Sequence, residues 1–365
     1  MSSIDLIQPN PTPETDASVK HVNTRLDPNG LRINEVSVDD GYQRSSRDKL
    51  TRRLIQSTLD KYNDDLASNP NITIDSERNP ARDYLDSIAT VAAWKQMMPS
   101  AMALYPLQRP DERKLPEGTR VDALSRQLFR HSLDAIGIRT RAKIMERIAI
   151  DQIKSSDSEE VSWVSLACGA AVPVLDAMST LREQDSDKNV HLTLVDYDPT
   201  ALNFAEFLAN KQGLVAEEDY TIEKANLIRE MIVSDGFVKS HGEESFDMVD
   251  MLGIFEYFDK DMSAKMLQNA YRLVKPGGVL VLGNMLDTHR NLDLNQRAIG
   301  WPSIKPRSID EITEILNQAG VPLESTEAFI PQDGVYAVVS IEKPVEADKS
   351  APVVPLGRAA LGIIK

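Results

Sequence analysis

Apolar residues in the first part of the chain recur three or four positions apart, which is the spacing of one helix face. This pattern begins near residue 46 with Leu50, Leu54 and Leu59, and two further helical blocks follow at 81–107 and 121–136. No strand is predicted before residue 160. The sequence therefore predicts an all-helical cap or dimerisation domain over 46–157.

The residues ahead of this helical region are rich in Pro, Asp, Asn and Ser and show no sustained periodicity. A segment of this kind cannot bury enough apolar surface to fold by itself. We therefore expect residues 1–45 to form a flexible arm, and the last residues, 344–365, to form a tail.

After residue 160 the pattern changes to short apolar runs that alternate with amphipathic segments, which is typical of a βαβ sheet. The predicted strands are 161–167, 191–195, 221–225, 246–252, 279–283, 324–330 and 335–341, and the predicted helices are 172–182, 199–211, 260–273 and 309–319. The last two strands can form a terminal hairpin. The predicted fold class is therefore α/β, with a mainly parallel seven-stranded sheet behind the helical region.

The composition limits the classes of function. The 365-residue chain is 41% apolar, with a net charge of −15 and a sequence pI near 4.9. So acidic a chain is disfavoured for nucleic acid, whose phosphates need clustered cations. Cys168 is the lone cysteine, which fits a reducing compartment. With no secretory pattern at its start and no apolar run long enough for a membrane span, we expect a cytoplasmic protein with a small-molecule substrate.

Two predicted strands end in residues that suit a nucleoside-type ligand. The first is followed by Ala167-Cys168-Gly169-Ala170-Ala171, where small side chains let the backbone approach a ligand and the next helix offers free amides. The second ends in Asp196, which can accept hydrogen bonds from ribose hydroxyls, whereas Asp198 before Pro199 suits a helix N-cap. The alternative interpretation is a tight turn and a cap without a ligand, and the two motifs together favour the ligand.

Taken in order, these segments resemble the class I methyltransferases that depend on S-adenosylmethionine (SAM). The Lys275-Pro276-Gly277-Gly278 run matches the family's signature before its fifth strand, and the resemblance covers about residues 160–343. It implies a Rossmann-like fold with an antiparallel terminal strand, a SAM-binding domain over 158–343, and SAM as the cofactor.

The resemblance also implies cofactor-binding residues. They are Ala167, Cys168, Gly169 and Ala170 in the turn, Asp196 at the ribose, Tyr197, Asn226 and Leu227 near the adenine, and Gly253 in the acceptor-facing loop. Ser165 stands where many members carry an acid that contacts the methionine amine, and Asn226 replaces the commoner Asp. Outside the resemblance, Arg141 belongs to a basic cluster before the first strand and is a candidate for the SAM carboxylate.

Catalytic candidates come from the loops after the fourth and fifth strands. His289 has the ordinary pKa nearest neutrality and is the predicted general base, Tyr257 is predicted to pack against the acceptor, and Glu256 is a weaker candidate. Cys168 is interpreted as a packing residue. The five histidines show no metal-ligand spacing, so no metal is predicted.

The predicted function is transfer of the SAM methyl group to a small-molecule O or N acceptor, by in-line displacement under a helical lid. Three alternatives stay open: transfer of the aminocarboxypropyl or aminopropyl arm of a SAM-type donor, a non-catalytic SAM-binding scaffold, and a nicotinamide dehydrogenase. The single glycine of the turn, Gly169, disfavours the last. A homodimer through the helical region is a further expectation.

Overall fold

The computed structural model describes residues 18–184, 186–301 and 303–345. Within them, nine strands form one sheet in the order β1-β2-β8-β9-β7-β6-β3-β4-β5. The strands are β1 Val19–Leu26, β2 Arg32–Val38, β3 Glu160–Leu166, β4 Asn189–Asp196, β5 Tyr220–Lys224, β6 Phe246–Met251, β7 Val274–Met285, β8 Thr326–Pro331 and β9 Tyr336–Glu342.

Helices cover the sheet and extend beyond it. They are α1 Ser46–Ala67, α2 Pro80–Asp86, α3 Ala89–Lys95, α4 Tyr105–Gln108, α5 Ala123–His131, α6 Leu133–Ser155, α7 Val172–Glu183, α8 Pro199–Lys211, α9 Gly236–His241, α10 Lys260–Leu273, α11 Leu292–Leu294 and α12 Ile309–Gln318. No helix in the described ranges has both the length and the apolar character needed to cross a bilayer.

The mixed α/β architecture and the mainly parallel sheet are confirmed. Strands β3 to β7 run parallel to one another, β9 is antiparallel to β7 and β8, and β8 follows β9 across the sheet. The predicted antiparallel terminal strand therefore corresponds to β9. The predicted strands and helices after residue 160 agree with the structure to within a few residues at most ends.

The predicted count of seven strands is wrong, because β1 and β2 lie in the segment predicted to be a flexible arm. Asp27 shapes the turn between them, since its Oδ1 accepts hydrogen bonds from the amides of Asn29 (2.9 Å) and Leu31 (2.7 Å). β2 then pairs in parallel with β8, almost 300 residues later in the chain. A local pattern cannot reveal so distant a partner. Residues 1–17 of the arm and 346–365 of the tail lie outside the described residues.

The predicted helical domain divides between two cores. Helix α6 lies on the sheet: Ile144, Met145 and Ile153 share a core with Trp163 of β3 and Leu192 of β4. The later part of α6 thus packs on the sheet, whereas Leu133 and Ile138 at its start belong to the second core, so one helix connects the two cores.

The helices before α6 form a second core with distant parts of the chain. Leu59, Trp94 and Phe129 pack there with Trp301 and Tyr336. The cap is therefore built from N-terminal helices together with the segment after β7. This arrangement places residues from both ends of the chain above the sheet.

Candidate functional site

A cavity of about 280 Å³ opens at the carboxyl ends of β3, β4 and β6. Parallel strands commonly bind ligands at this edge. Its walls are the turn after β3, the loops after β4 and β6, the segment 99–104 of the cap, and Trp301. Nine of the predicted site residues line it: Ala167, Cys168, Gly169, Ala170, Asp196, Tyr197, Gly253, Arg141 and Tyr257.

The turn after β3 has an unusual backbone. Ala167, Gly169 and Ala171 all have positive φ angles, of 55°, 56° and 53°. Because Ala167 and Ala171 adopt this conformation, the positive φ angle alone does not explain why residue 169 is a glycine. A Cβ at position 169 would lie 2.8 Å from the Cβ of Ala101 in the cap. Glycine is therefore required because the cap segment approaches the turn so closely.

Asp196 connects the turn with the loop after β4. One carboxylate oxygen accepts the Gly169 amide at 2.8 Å, and the other accepts the Asp198 amide at 2.9 Å. A carboxylate offers about four acceptor positions, so positions remain for two hydroxyl donors. Asp198 caps α8 through the Thr200 amide at 2.8 Å. Tyr197, which is 65% exposed, stands at the rim.

Cys168 lies in the turn with its thiol partly buried. Burial raises the pKa of this thiol well above its usual range, and the neighbouring carboxyl groups of Asp196 and Asp250 act in the same direction. A thiol held in its neutral form is a poor nucleophile. This environment supports the packing role predicted for Cys168.

Three predicted site residues do not line the cavity. Asn226 is exposed, and its Oδ1 accepts the Arg229 amide at 3.1 Å, so it caps the following turn. Leu227 lies in the hydrophobic core. The His289 side chain is fully buried behind the cap and bonds to Asp134, so it cannot reach a ligand in the cavity directly. The geometry thus disfavours the predicted role of His289 as the base.

Sequence reasoning missed Asp250, at the end of β6. This residue is 3% exposed and lines the cavity. Its carboxyl group accepts hydrogen bonds from the Trp163 indole at 2.7 Å and the Ser165 hydroxyl at 3.0 Å. Burial raises its pKa to about 7, although both hydrogen bonds act in the opposite direction. The sequence does contain an indication of this residue: Asp250 is a second acid, three residues after Asp247, in an otherwise apolar strand.

A smaller chamber of about 30 Å³ adjoins the cavity on the side of the cap, and we call it the inner chamber. The two spaces share Leu104, Arg141, Gly253, Tyr257 and Trp301 as lining residues. The inner chamber is otherwise lined mainly by apolar and aromatic side chains, with a few polar groups: Trp94, Leu107, Asp134, Ile138, Glu256, Met285, Asn295, Ile299, Ile304 and Tyr336.

The wall between the two spaces carries a buried ion pair. Arg141 donates to the Leu252 carbonyl at 3.1 Å, lies 3.6 Å from the Glu256 carboxylate, and stacks over the Tyr336 ring. Glu256 is buried, and its other oxygen accepts the Met285 amide at 3.0 Å. Burial raises the pKa of Glu256, opposed by the charge of Arg141. Because the Glu256 carboxylate already lies beside it, Arg141 is disfavoured for binding a ligand carboxylate.

Tyr257 occupies the opening between the cavity and the inner chamber. The Trp301 indole donates a hydrogen bond of 2.6 Å to its hydroxyl oxygen. Burial raises the pKa of Tyr257 to about 12, so the hydroxyl stays neutral at ordinary pH. The arrangement fixes an aromatic side chain at the junction of the cavity and the inner chamber.

Asp134 and Asn295 form the polar end of the inner chamber. One oxygen of Asp134 accepts a hydrogen bond from the Asn295 amide at 2.6 Å and lies 3.1 Å from Nε2 of His289. Because a carboxylate can only accept, the Asn295 NH₂ must face Asp134 and its Oδ1 must face away. That buried Oδ1 has no hydrogen-bond partner in the described part of the chain. Such an orphaned acceptor calls for a donor from a ligand or a water.

Comparison with known proteins gives a partial match. Residues 165–280 match a family model described as a methyltransferase domain. No curated protein matches the chain. Among solved structures, a possible exported protein from Bordetella parapertussis is 16% identical with a TM-score of 0.56, over 81% of this chain and 97% of that one. This likeness shows a shared fold.

Two structures of methyltransferases are also similar to the chain. The carbon methyltransferase CurJ is 12% identical with a TM-score of 0.48, over 80% of this chain and 81% of that one. The SAM-dependent methyltransferase SibL, in its apo form, is 19% identical with a TM-score of 0.40, over 72% of this chain and 76% of that one.

Proposed function

We propose that this chain is a class I SAM-dependent methyltransferase that transfers the methyl group of SAM to a small-molecule oxygen or nitrogen acceptor. The match of residues 165–280 to a methyltransferase-domain model supports the proposal. The observation that carries the proposal is the pairing of two adjoining spaces. The cavity presents the residues expected for the donor, and the inner chamber is lined by Asn295, whose buried Oδ1 has no hydrogen-bond partner among the described residues, and by the Asp134 carboxylate. SAM supplies an electrophilic methyl group when it is bound.

The cavity fits a nucleoside with a charged side arm. Its volume is close to the lower end of the range for small-molecule sites, roughly 300–1,000 Å³. Asp196 would accept from the ribose hydroxyls, and Tyr197 would lie beside the adenine at the rim. Gly169 allows the cap segment at Ala101 to close over the turn, so the turn and the cap together form this wall of the cavity.

The inner chamber would hold the reacting end of the acceptor. Its polar end offers the Asn295 carbonyl oxygen and the Asp134 carboxylate, both of which accept hydrogen bonds. An acceptor with an O–H or N–H group satisfies the orphaned oxygen, whereas a purely apolar acceptor leaves it unpaired at a cost of about 1–3 kcal/mol. We therefore favour hydroxyl and amine acceptors over carbon nucleophiles.

The same geometry reassigns the group that takes the acceptor's proton. Asp134 lines the inner chamber, whereas His289 lies behind it and bonds to its carboxylate. In our proposal Asp134 receives the proton and His289 is a positioning residue. Tyr257 and Trp301 orient the acceptor, and the buried side chains of the cap exclude water from the reacting atoms.

The experiment that tests the function measures binding first and turnover second. Calorimetry with SAM and with S-adenosylhomocysteine should show saturable binding to the full chain, and the absence of binding would contradict the proposal. A methyl-transfer screen with metabolite extracts then identifies acceptors. Analysis of the by-product separates the alternatives, because methyl transfer leaves S-adenosylhomocysteine, whereas transfer of the aminopropyl arm or the aminocarboxypropyl arm leaves methylthioadenosine. A scaffold would bind the cofactor without turnover.

A further inference from the structure

Asp250 is a buried acid without a cation. Its two hydrogen-bond donors, the Trp163 indole and the Ser165 hydroxyl, are both neutral groups. No ion pair to Asp250 is found among the described residues, although Arg141 lines the same cavity. A carboxyl group in an apolar environment is costly to ionise unless a positive charge lies beside it. The molecule therefore presents an uncompensated acid to the cavity.

The side chain of Asp250 is held in a fixed direction. Ser165 of β3 and Asp250 of β6 are register partners in the parallel sheet, and Trp163 lies two residues earlier on the same face of β3. The indole binds one carboxylate oxygen and the hydroxyl binds the other, which leaves about two acceptor positions open. Both Ser165 and Asp250 line the cavity beside the glycine turn.

We propose that Asp250 receives an ammonium group of the ligand, and that Trp163 and Ser165 hold its carboxylate toward that group. The inference rests on the proposed function, because it takes the ammonium to be that of the amino-acid arm of the cofactor. The acid that binds the ammonium group is therefore Asp250 on β6, and its register partner on β3 is Ser165. Binding places a cation beside a carboxylate that the free protein leaves unpaired.

The test compares two ligands that differ in this arm. S-adenosylhomocysteine carries the ammonium group, whereas 5′-methylthioadenosine lacks the amino-acid arm. By calorimetry, Asp250→Asn should weaken binding of S-adenosylhomocysteine by roughly 10- to 150-fold, the range for a hydrogen bond to a charged group. Binding of 5′-methylthioadenosine should change by less than about threefold on that scale. Asp247→Asn, on the same strand but bonded to Ser162 and Lys275, is the matched control.

An exchange of the two side chains strengthens the test. Asp250→Ser should lose affinity for S-adenosylhomocysteine, and adding Ser165→Asp should recover at least about tenfold of it, because the register partners face the same cavity. Equal loss of affinity for both ligands would assign Asp250 a purely structural role and overturn the inference. Unchanged affinity for S-adenosylhomocysteine in Asp250→Asn would also overturn it. If the wild-type protein binds neither ligand, the proposed function fails instead.

The wild-type protein offers a second readout that needs no variant. Since the pKa of Asp250 is raised to about 7 in the free protein, a cation beside it should lower that pKa and release a proton below pH 7. Calorimetry in two buffers of different ionisation enthalpy should show the release near pH 6, falling toward zero by pH 8. The other titratable groups that line the cavity are Cys168, Asp196, Tyr197, Asp198, Tyr257 and Arg141. Proton release that persists in Asp250→Asn would assign it to one of them.

Discussion

The cavity and the inner chamber are neighbours, yet they are built in opposite ways. The cavity is made mainly by residues at or shortly after the ends of strands, such as Gly169, Asp196 and Gly253. The inner chamber draws Asp134 from α6 and Asn295 from the segment after β7, and its walls belong to the core of the cap. The cavity can therefore be recognised from short sequence motifs. The inner chamber forms only when segments that are distant in the sequence pack together.

The cavity depends on the sheet, which other proteins with this fold share, whereas the inner chamber depends on helices particular to this chain. Strand ends converge at one edge of any parallel sheet, so a donor site there follows from the topology. The inner chamber depends on the particular helices that cover that edge. The comparison therefore predicts that changes in the cavity alter cofactor affinity, and that changes in the inner chamber alter turnover at constant cofactor affinity.

The largest effect is expected in the inner chamber. Asp134→Asn keeps the size of the side chain but removes the carboxylate that we propose takes the acceptor's proton. We expect turnover to fall by roughly 10² or more, the usual range for general acid–base catalysis, with SAM affinity within about twofold. Steady-state kinetics and calorimetry measure the two quantities. His289→Ala, which acts through Asp134, should reduce turnover less than Asp134→Asn does.

Asp151→Asn is the matched control, because Asp151 lies on the same helix and pairs with Arg147 on the surface. It should leave turnover and SAM affinity unchanged. A loss of less than tenfold in Asp134→Asn would mean that positioning alone drives the reaction, with no base required. Equal losses in SAM affinity and turnover would show that the inner chamber also contributes to cofactor binding, contrary to the division of roles proposed above.

The next effect is expected in the cavity. Asp196→Ala removes the proposed acceptor for the ribose hydroxyls and two hydrogen bonds from the Gly169 and Asp198 amides. We expect the SAM binding free energy to become less favourable by about 1.5–3 kcal/mol. Calorimetry against the wild type measures it, and Asp187→Asn, an acid in the loop before β4, serves as the control. Equal affinity of Asp196→Ala and the wild type would remove Asp196 from the site.

The same contrast explains how much the sequence could predict. Gly169 and Asp196 can be predicted because each lies at or just after the end of a strand whose apolar run is visible locally, and nine predicted residues line the cavity. β2 was missed because its partner β8 is almost 300 residues away, although the Asp27-Pro28-Asn29-Gly30 turn before it was a readable signal. His289 lines neither the cavity nor the inner chamber: its position after β7 is visible in the sequence, whereas its burial behind Asp134 depends on how α6 packs.

The third prediction concerns how α6 meets the sheet. A Cβ at Gly137 would lie 2.5 Å from the Cβ of Val335, next to β9. In a free helix, Gly→Ala stabilises by about 1 kcal/mol, but here the close contact should reverse the sign. Gly137→Ala should lower the free energy of unfolding by about 1–3 kcal/mol, as overpacking does. Urea titration measures this change.

The control for Gly137→Ala is Gly236→Ala at the start of α9, where the nearest atom lies 3.4 Å from the added Cβ. It should leave stability unchanged or raise it slightly. Because Gly137 lies between Asp134 and Arg141, its substitution should also reduce turnover more than it reduces SAM affinity. Increased stability in Gly137→Ala would mean that α6 can shift away from β9 at little cost.

The smallest effect is expected at the junction of the two spaces. Tyr257→Phe keeps the ring but leaves the Trp301 indole without its partner, a loss worth about 0.5–1.5 kcal/mol, or two- to twelvefold in kcat/KM. Because the pKa of Tyr257 is about 12, its hydroxyl is neutral throughout the assay range, and the pH profile of the variant should match that of the wild type. A loss above 10² together with a changed alkaline limb would instead identify Tyr257 as the group that takes the proton. Proton transfer would then take place at Tyr257, between the cavity and the inner chamber, and Asp134 would serve only to orient the acceptor.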